Sequence, residues 1–433
     1  MNETPDAQLV RAIGPARLTV TIINLMVGAG IFVLPATVAS GLGRGAPVAY
    51  LVCAALMALI VTCFAAAGSR VSLTGGLYAY IEVAFGPFVG FVAGVLYAVM
   101  AAFAVASVAS ALAGSIMALA PAIATAAWRA ALLAAIFATV ALVNIRGVTP
   151  GARLIELVTA AKLLPLFVLL AAGLPMLRAD RVMVEHMPSG SLLGQTSIVL
   201  IFVFAGIEVA LVPSGEIRNP ATTVPRAVYA GLAFTTLLYL AIQAVAQSTL
   251  GPALQEFAAA PLAEAAGRLL GHPGRTLVLA GAIVSMFGYV SGDMLSSPRA
   301  LFALGRDGIL PRAFAAVHPR FRTPQLAITV YALIVALVAI SSSFTQLAIL
   351  ANVTALTLYL MCIGAAWELQ RRDVRTDGAA PFVLPAGPLV PLLAALVTVW
   401  LLAQASGREF RVLALVLAVA SVFYFIRKTG GRL

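Results

Sequence analysis

Three ionisable side chains lie inside long apolar stretches of this sequence. Lys162 occurs in LVTAAKLLPLF, Glu208 in FVFAGIEVALV and Asp293 in GYVSGDMLSS. A carboxyl group in such surroundings can exchange a proton or bind an amine, and an ammonium group can donate to backbone carbonyl oxygens. Because ionisable groups are costly in an apolar environment, each of the three is a candidate functional residue.

Two of the apolar stretches are interrupted by residues that weaken a helix. Residues 18–36 read LTVTIINLMVGAGIFVLPA, with Gly28 and Gly30 near the middle, and the stretch SIVLIFVFAGIEVALVP has Ala205 and Gly206 at its middle. An interrupted helix leaves backbone groups without partners, and lipid offers no water to replace them. The freed groups must face a polar cavity or a ligand, and two such stretches in corresponding halves of a chain indicate a binding site.

The composition is typical of a polytopic membrane protein. The 433 residues are 62% hydrophobic and 10% charged, with a mean hydropathy of +1.04, whereas about a quarter of the residues of a soluble domain are charged. We predict one transmembrane domain over residues 1–433. The net charge of +11 does not indicate a nucleic-acid partner, because the basic residues come singly or in pairs between apolar runs.

The sequence predicts no cofactor and no metal site. None of the predicted spans contains a histidine, and Cys53, Cys63 and Cys362 lie within or at the edge of apolar spans, where a free thiol is the default. An intramembrane enzyme would need an assembled catalytic set, and a channel would need a repeated filter-like ring. Both are remote alternatives.

Apolar runs bounded by charge, glycine or proline predict twelve membrane spans. They lie near residues 18–41, 46–67, 77–113, 128–145, 153–175, 192–213, 226–249, 274–304, 324–341, 345–367, 383–404 and 409–427. Of the 27 lysines and arginines, 18 lie on the side of the two termini, 8 lie opposite, and Lys162 is within a span. This excess predicts a protein of the cytoplasmic (plasma or inner) membrane with both termini in the cytoplasm.

The predicted fold class is an all-α membrane protein with an inverted repeat. Residues 1–17 form a cytoplasmic segment, 18–175 a first repeat, 192–367 a second repeat, and 383–427 the appended helices 11 and 12. Each repeat has five spans and begins with a broken helix, and an odd number of spans inverts the second repeat relative to the first.

Each buried charge also has a structural interpretation. For Lys162 that interpretation is a side chain that extends to the cytoplasmic surface. Lys162 follows Arg153 by about nine residues, roughly 13 Å of helix, whereas such a side chain reaches about 6 Å. Its alternative role is to donate to carbonyls freed where the first helix breaks. Glu208 is either a proton-coupling or gating group or a structural hydrogen-bonding acid. Asp293 lies in a stripe of small polar residues that either packs against a helix or exposes the carboxylate to an amine.

Four motifs in order identify a resemblance. They are GAGIFVLPA, TGGLYAYIEVAFGPFVG, FVFAGIEVALVPSGEIRNP and SSPRALFALGRDGILP. From about residue 14 to 370 the chain resembles the amino acid, polyamine and organocation transporter superfamily, which has the leucine-transporter-like fold. The resemblance implies a secondary transporter.

The resemblance also implies a division of roles among the candidate residues. Backbone N–H groups of Gly28, Ala29, Gly30 and Ile31 would receive a substrate carboxylate, carbonyls near Ala205 and Gly206 an amine, and Phe202 would close over the substrate from outside. A half-helix N-terminus favours an anion and a C-terminal end favours a cation, in agreement with this assignment. The implied substrate-binding residues are Met26, Gly28, Ala29, Gly30, Ile31, Phe103, Phe202, Ala205, Gly206, Ile207 and Asp293.

Two further residues correspond to ion-coupling positions of the superfamily. Lys162 matches a lysine that replaces the second sodium ion in sodium-independent, proton-coupled members, and Glu208 matches a proton-sensing acid of one exchanger. At Asp293 that exchanger has a bulky aromatic residue, so its substrate pocket does not transfer to this chain.

The sequence therefore predicts a proton-coupled, sodium-independent permease for small or branched neutral L-amino acids, because most of the implied lining is apolar. The alternative is an exchanger or exporter of cationic amino acids or polyamines, which Asp293 would favour. The expected partners are the substrate, protons and the lipid bilayer. No oligomeric state is predicted.

Overall fold

The structure is a computed structural model that describes residues 11–119, 125–147, 152–182, 184, 187–306, 311–375 and 380–429. These residues fold into helices without a β-strand. The helices are α1 (Pro15–Met26), α2 (Ala29–Leu42), α3 (Ala46–Arg70), α4 (Leu77–Phe85), α5 (Pro87–Met117), α6 (Ala126–Ile145), α7 (Ala152–Gly173), α8 (Ala179–Val182), α9 (Gly190–Leu200), α10 (Ile207–Ala210), α11 (Pro220–Leu250), α12 (Pro261–Ser296), α13 (Pro298–Arg306), α14 (Gln325–Ser341), α15 (Phe344–Arg371), α16 (Leu389–Leu402) and α17 (Gly407–Thr429).

Many of these helices have the length and composition of membrane spans. Within the described residues, eight apolar runs are long enough to cross a bilayer: Ala29–Arg70, Pro87–Met117, Ala126–Ile145, Gly190–Ala210, Pro220–Glu256, Pro261–Ser296, Phe344–Arg371 and Gly407–Ile426. Shorter apolar helices occur at Lys162–Met176, Gln325–Ser341 and Leu389–Leu402. The chain is a multi-pass, all-helical membrane protein.

Two predicted spans differ from the helices of the structure. The span predicted near 77–113 is not continuous, because Gly86 has a φ of +88°, which separates α4 from α5, and Pro87 then begins α5. The span predicted near 274–304 begins earlier, at Pro261, and α12 has a kink at Gly271 two residues before Pro273.

The interior of the bundle is formed by a few central helices. In α15, 72% of the most apolar stretch is buried, against 6% in α17. The helices α3, α5 and α9 pack against α15, and α2 packs against α9. In contrast, most residues of α6 and α17 are at least partly exposed. A membrane protein exposes such side chains to lipid, so the buried polar groups of the central helices are the informative ones.

The residues before α1 pair with those before α11. Ile13 N donates to Glu216 O at 3.0 Å, and Arg218 N donates to Ile13 O at 2.9 Å. This isolated parallel bridge joins the start of the first broken helix to the segment that follows the second one.

Candidate functional site

The first helix break lies between Met26 and Ala29. Val27 and Gly28 have backbone angles outside the helical region, and α2 begins a new helix at Ala29. The N–H groups of Ala29, Gly30 and Ile31 therefore lie in the first turn of α2. No carbonyl of the same helix can accept a hydrogen bond from them. All three residues are buried, so these donors are in a protected place where an anion could be bound.

The second break lies between Phe204 and Ile207. A 3₁₀ turn over Ile201–Phe204 ends α9, Ala205 is extended, and Gly206 has a φ of +117° before the short α10. A residue with a Cβ rarely adopts such a φ, which explains a glycine at this position.

The two breaks lie against each other. A methyl group added at Gly30 would be 2.8 Å from Val203 Cγ1 and 3.3 Å from Phe202 Cδ1, and one at Gly206 would be 2.9 Å from the Leu25 carbonyl carbon. The glycine of each break therefore allows close approach of the other broken helix. The structure thus brings the candidate residues of the two breaks together, as an interrupted-helix binding site would require.

A polar stripe on α11 follows the first broken helix. Thr235, Tyr239, Gln243 and Gln247 occur at every fourth residue and hence on one helical face. Their side chains contact, in order, Met26 Sδ at 3.5 Å, Met26 O at 2.7 Å, Pro35 O at 3.4 Å and Gly43 O at 2.8 Å. Side chains of α11 thus provide donors for backbone carbonyls along α1 and α2.

Tyr239 contacts both breaks at once. Its hydroxyl oxygen lies 2.7 Å from Met26 O and 3.0 Å from Val203 O. The single hydroxyl proton can be shared between the two carbonyls or donated to one of them. The contact therefore joins the end of α1 to the 3₁₀ turn that ends α9.

We expect Tyr239→Phe to impair both stability and the transport that the sequence predicts. Two buried carbonyls would lose their common donor, which costs about 1–3 kcal/mol. The measurements are the unfolding temperature and the initial rate of uptake into proteoliposomes. The matched control is Tyr229→Phe, which removes a hydroxyl on the same helix that bonds to Thr62 at 2.7 Å. Equal losses in the two variants would contradict a special role for Tyr239.

Lys162 lies next to the first break. It is 7% exposed, and its ammonium group donates to the carbonyl oxygen of Asn24, in the last turn of α1. This carbonyl is among those that the end of a helix leaves without a helical partner. Asn24 Oδ1 is also buried and has no hydrogen-bond partner in the structure.

Glu208 lies at the second break. Both carboxylate oxygens are 3.0 Å from Gly206 N, and Oε2 also accepts from the Tyr359 hydroxyl at 2.9 Å. The side chain is 2% exposed. Glu208 thus binds a backbone N–H group of the break, and a change in its protonation would alter that contact directly.

Asp293 makes its hydrogen bonds away from the glycines of the breaks. Ser297 donates to Oδ1 at 2.7 Å, and Tyr331 of α14 donates to Oδ2 at 2.7 Å. Tyr97 of α5 and Tyr289 of α12 are close enough to interact electrostatically with both Asp293 and Glu208. Two tyrosines thus lie near both carboxylates.

The remaining candidates line the surroundings of the breaks. Met26 and Ile207 are buried, and Ala205 is half-buried in the second break. Phe202 is half-buried and meets the ring of Phe344. Phe103 is half-buried on α5, one turn before Ser107, which donates to Phe344 O at 3.0 Å.

The sequence predictions do not include the residues that bond to the breaks and to the buried carboxylates. These are Tyr239, Tyr331, Asn352 and Tyr359, and Asn352 Nδ2 donates to Ile198 O at 2.7 Å near the end of α9. The four-residue spacing of polar side chains on α11 was a readable signal for Tyr239. The others are isolated polar residues in apolar helices, whose partners only the tertiary structure identifies.

The chain is similar to known proteins along almost its whole length. A family model described as amino acid permease matches residues 13–425. The serine/threonine exchanger SteT of Bacillus subtilis is 28% identical over 399 residues, which is 90% of each chain. The methylthioribose transporter of the same organism is 26% identical, over 98% of this chain and 95% of its own. The branched-chain amino acid permease BcaP of Bacillus subtilis is 24% identical, over 97% of this chain and 94% of its own.

Proposed function

Because the chain belongs to the amino acid permease family, whose members are transporters and not enzymes, we propose that it carries neutral L-amino acids across the cytoplasmic membrane without sodium and coupled to protons. The observation that carries this proposal is the pair of breaks packed on each other, with Lys162 at the first and Glu208 at the second. The breaks supply backbone N–H and carbonyl groups for an amino acid, and the two ionisable side chains supply charge and an exchangeable proton.

We further propose the twelve-span arrangement. Counting α1 with α2, α4 with α5, and α9 with α10 as single interrupted spans, the helices other than α8 and α13 make up twelve. The first five and the next five then form the inverted repeat, and α16 and α17 are appended. The excess of basic residues on one side supports cytoplasmic termini.

The substrate proposal follows from the division of the site. The N–H groups at the start of α2 would bind the carboxylate, and carbonyls at Ala205 and Gly206 the amine. Met26, Ala29, Phe103, Phe202 and Ile207 would leave an apolar space for the side chain, which suits a small or branched aliphatic amino acid. SteT is named as a serine/threonine exchanger and BcaP as a branched-chain amino acid permease. Both hydroxylated and branched-chain amino acids should therefore be tested.

The experiment is uptake into proteoliposomes of purified protein. Radiolabelled L-serine, L-leucine and L-arginine would be compared under an imposed proton gradient, with and without sodium. We expect saturable uptake of L-serine or L-leucine that depends on the proton gradient and not on sodium. Uptake that required sodium and ignored the proton gradient would refute the coupling proposal.

The alternative substrate is a cationic amino acid or polyamine, and Asp293→Asn tests it. The structure favours a supporting role for Asp293, because Ser297 and Tyr331 each bond one of its carboxylate oxygens. Asparagine keeps an acceptor oxygen for one hydroxyl and can donate from its amide nitrogen to the other, but it removes the charge. We expect neutral uptake to change by less than about threefold. The alternative would be established by two results together. The wild-type protein would take up L-arginine or putrescine but no neutral amino acid, and Asp293→Asn would abolish that uptake.

A further inference from the structure

The first residue of α15, just after the turn from α14, carries the aromatic ring that meets Phe202. α14 ends at Ser341 and α15 begins at Phe344. The rings of Phe202 and Phe344 have centroids 5.8 Å apart and planes at 84°, which is an edge-to-face contact. Phe202 also packs over Gly30, where an added methyl group would be 3.3 Å from its ring. The pair of rings therefore lies beside the first break.

Arg129, in the first turn of α6, binds the end of α14 and this turn. Its Nη2 atom lies 2.7 Å from Ser110 Oγ, 2.9 Å from Ser342 O and 3.1 Å from Ala339 O, and its Nη1 atom lies 3.4 Å from Ile340 O. The last carbonyls of a helix lack helical partners, and a positive charge is favourable beside them. The guanidinium group thus fixes where α14 ends and how the chain turns.

Two other contacts place Phe344 itself. Ser107 of α5 donates to Phe344 O at 3.0 Å. Ser343 and Gln346 form a reciprocal capping box at the start of α15, so the first turn of that helix is well determined. The position of the Phe344 ring therefore depends on α5, on the cap of α15 and on the contacts of Arg129 with residues 339–342.

We propose that Arg129 is a positioning residue for a lid formed by Phe202 and Phe344. Phe344 is the fixed half, held on α5 and α6, and Phe202 is the half that belongs to the broken helix. The proposal rests on the proposed transport function and on the orientation in which this end of the bundle faces outward. Arg129 acts through Phe344 and does not touch the substrate.

Loss of Arg129 should loosen the closed lid. An open surface depression of about 300 Å³ lies beside the turn, lined by residues that include Ser110, Arg129 and Ser342. Without the guanidinium group the turn has room to shift into this space, and Phe202 loses the ring against which it closes. The residues behind the lid would then be more accessible from outside.

Thiol accessibility tests this without any knowledge of the substrate. Cys53, Cys63 and Cys362 are free and buried, and they would be replaced by alanine. A single reporter, Ala205→Cys, would be placed behind Phe202, and cells or oriented vesicles would be treated from outside with a membrane-impermeant methanethiosulfonate reagent. We expect Arg129→Ala to raise the rate of modification by about tenfold.

Three further variants make the result decisive. Arg129→Lys keeps a cationic donor for the carbonyls and should restore most of the protection. Ser107→Ala removes another anchor of Phe344 and should raise the rate by a smaller factor. Arg275→Ala removes an arginine that pairs with Glu264 at 2.8 Å near the same end of the bundle, and the rate should not change.

Equal modification rates in the Arg129→Ala variant and its parent would overturn the proposal, provided that both elute as folded protein from gel filtration. If Arg129→Ala does not fold, unchanged protection in Ser107→Ala would overturn the placement of Phe344 on which the proposal depends. Uptake of L-serine and L-leucine would be measured separately, so a lid that opens in a protein without amino acid transport would refute the proposed function alone.

Discussion

Replacing Gly206 by alanine is expected to abolish transport. The φ of +117° is unfavourable for alanine, and the added methyl group would lie 2.9 Å from the carbonyl carbon and 3.0 Å from the carbonyl oxygen of Leu25. These are backbone atoms, so no side-chain rotation can relieve the contact, and the two broken helices must move apart. We expect the initial uptake rate to fall by more than about tenfold, since the positive φ alone costs about 1–2 kcal/mol.

The control for Gly206→Ala is the same substitution where there is space. Gly114 lies in α5, and a methyl group added there meets no atom within 4 Å. Gly114→Ala should leave uptake unchanged and stabilise the helix slightly. Gel filtration and unfolding temperature would show that both variants fold. Full activity in a folded Gly206→Ala variant would mean that the close approach of the two breaks is not needed for transport.

Lys162→Met is expected to have an effect of similar size. Methionine fills comparable space but cannot donate, so the Asn24 carbonyl loses its ammonium partner at the end of α1. A buried acceptor without a donor is unfavourable, and the positive charge that would replace a cation at this position is absent. We expect proton-driven uptake to fall by more than about tenfold.

Two variants separate charge from packing at this position. Lys162→Arg retains a positive donor and should retain part of the activity. Leu163→Met introduces methionine at the half-buried neighbouring residue without removing a charge, and uptake should be nearly normal. Proton-driven uptake that persists undiminished in Lys162→Met would eliminate Lys162 from the coupling mechanism.

Sequence patterns identified the positions of the two breaks because their cause is local. Gly28, Gly30 and Gly206 interrupt long apolar runs, and the structure has its breaks at Val27–Gly28 and Ala205–Gly206. The separation of α4 from α5 at Gly86 has an equally local cause, a glycine followed by proline. It was not predicted because apolar residues on both sides give a continuous hydrophobic run.

The partners of the buried charges could not be predicted in the same way. Tyr359 and Tyr331 are remote in sequence from Glu208 and Asp293, and an apolar helix gives little indication of which face meets which neighbour. For this reason the sequence alone does not distinguish packing from amine binding at Asp293. Its contacts with Ser297 and Tyr331 depend on where α14 packs against α12, which is a property of the whole bundle.

The spacing of polar residues on α11 limits how the first broken helix can move. Tyr239 holds the end of α1, and Gln243 and Gln247 hold Pro35 and Gly43 of the following segment. Two segments attached at three points to one length of helix cannot change the angle between them without losing an attachment. The interruption at Gly28 therefore exposes backbone groups without introducing a joint, and α1, α2 and α11 should tilt as one rigid body during the transport cycle.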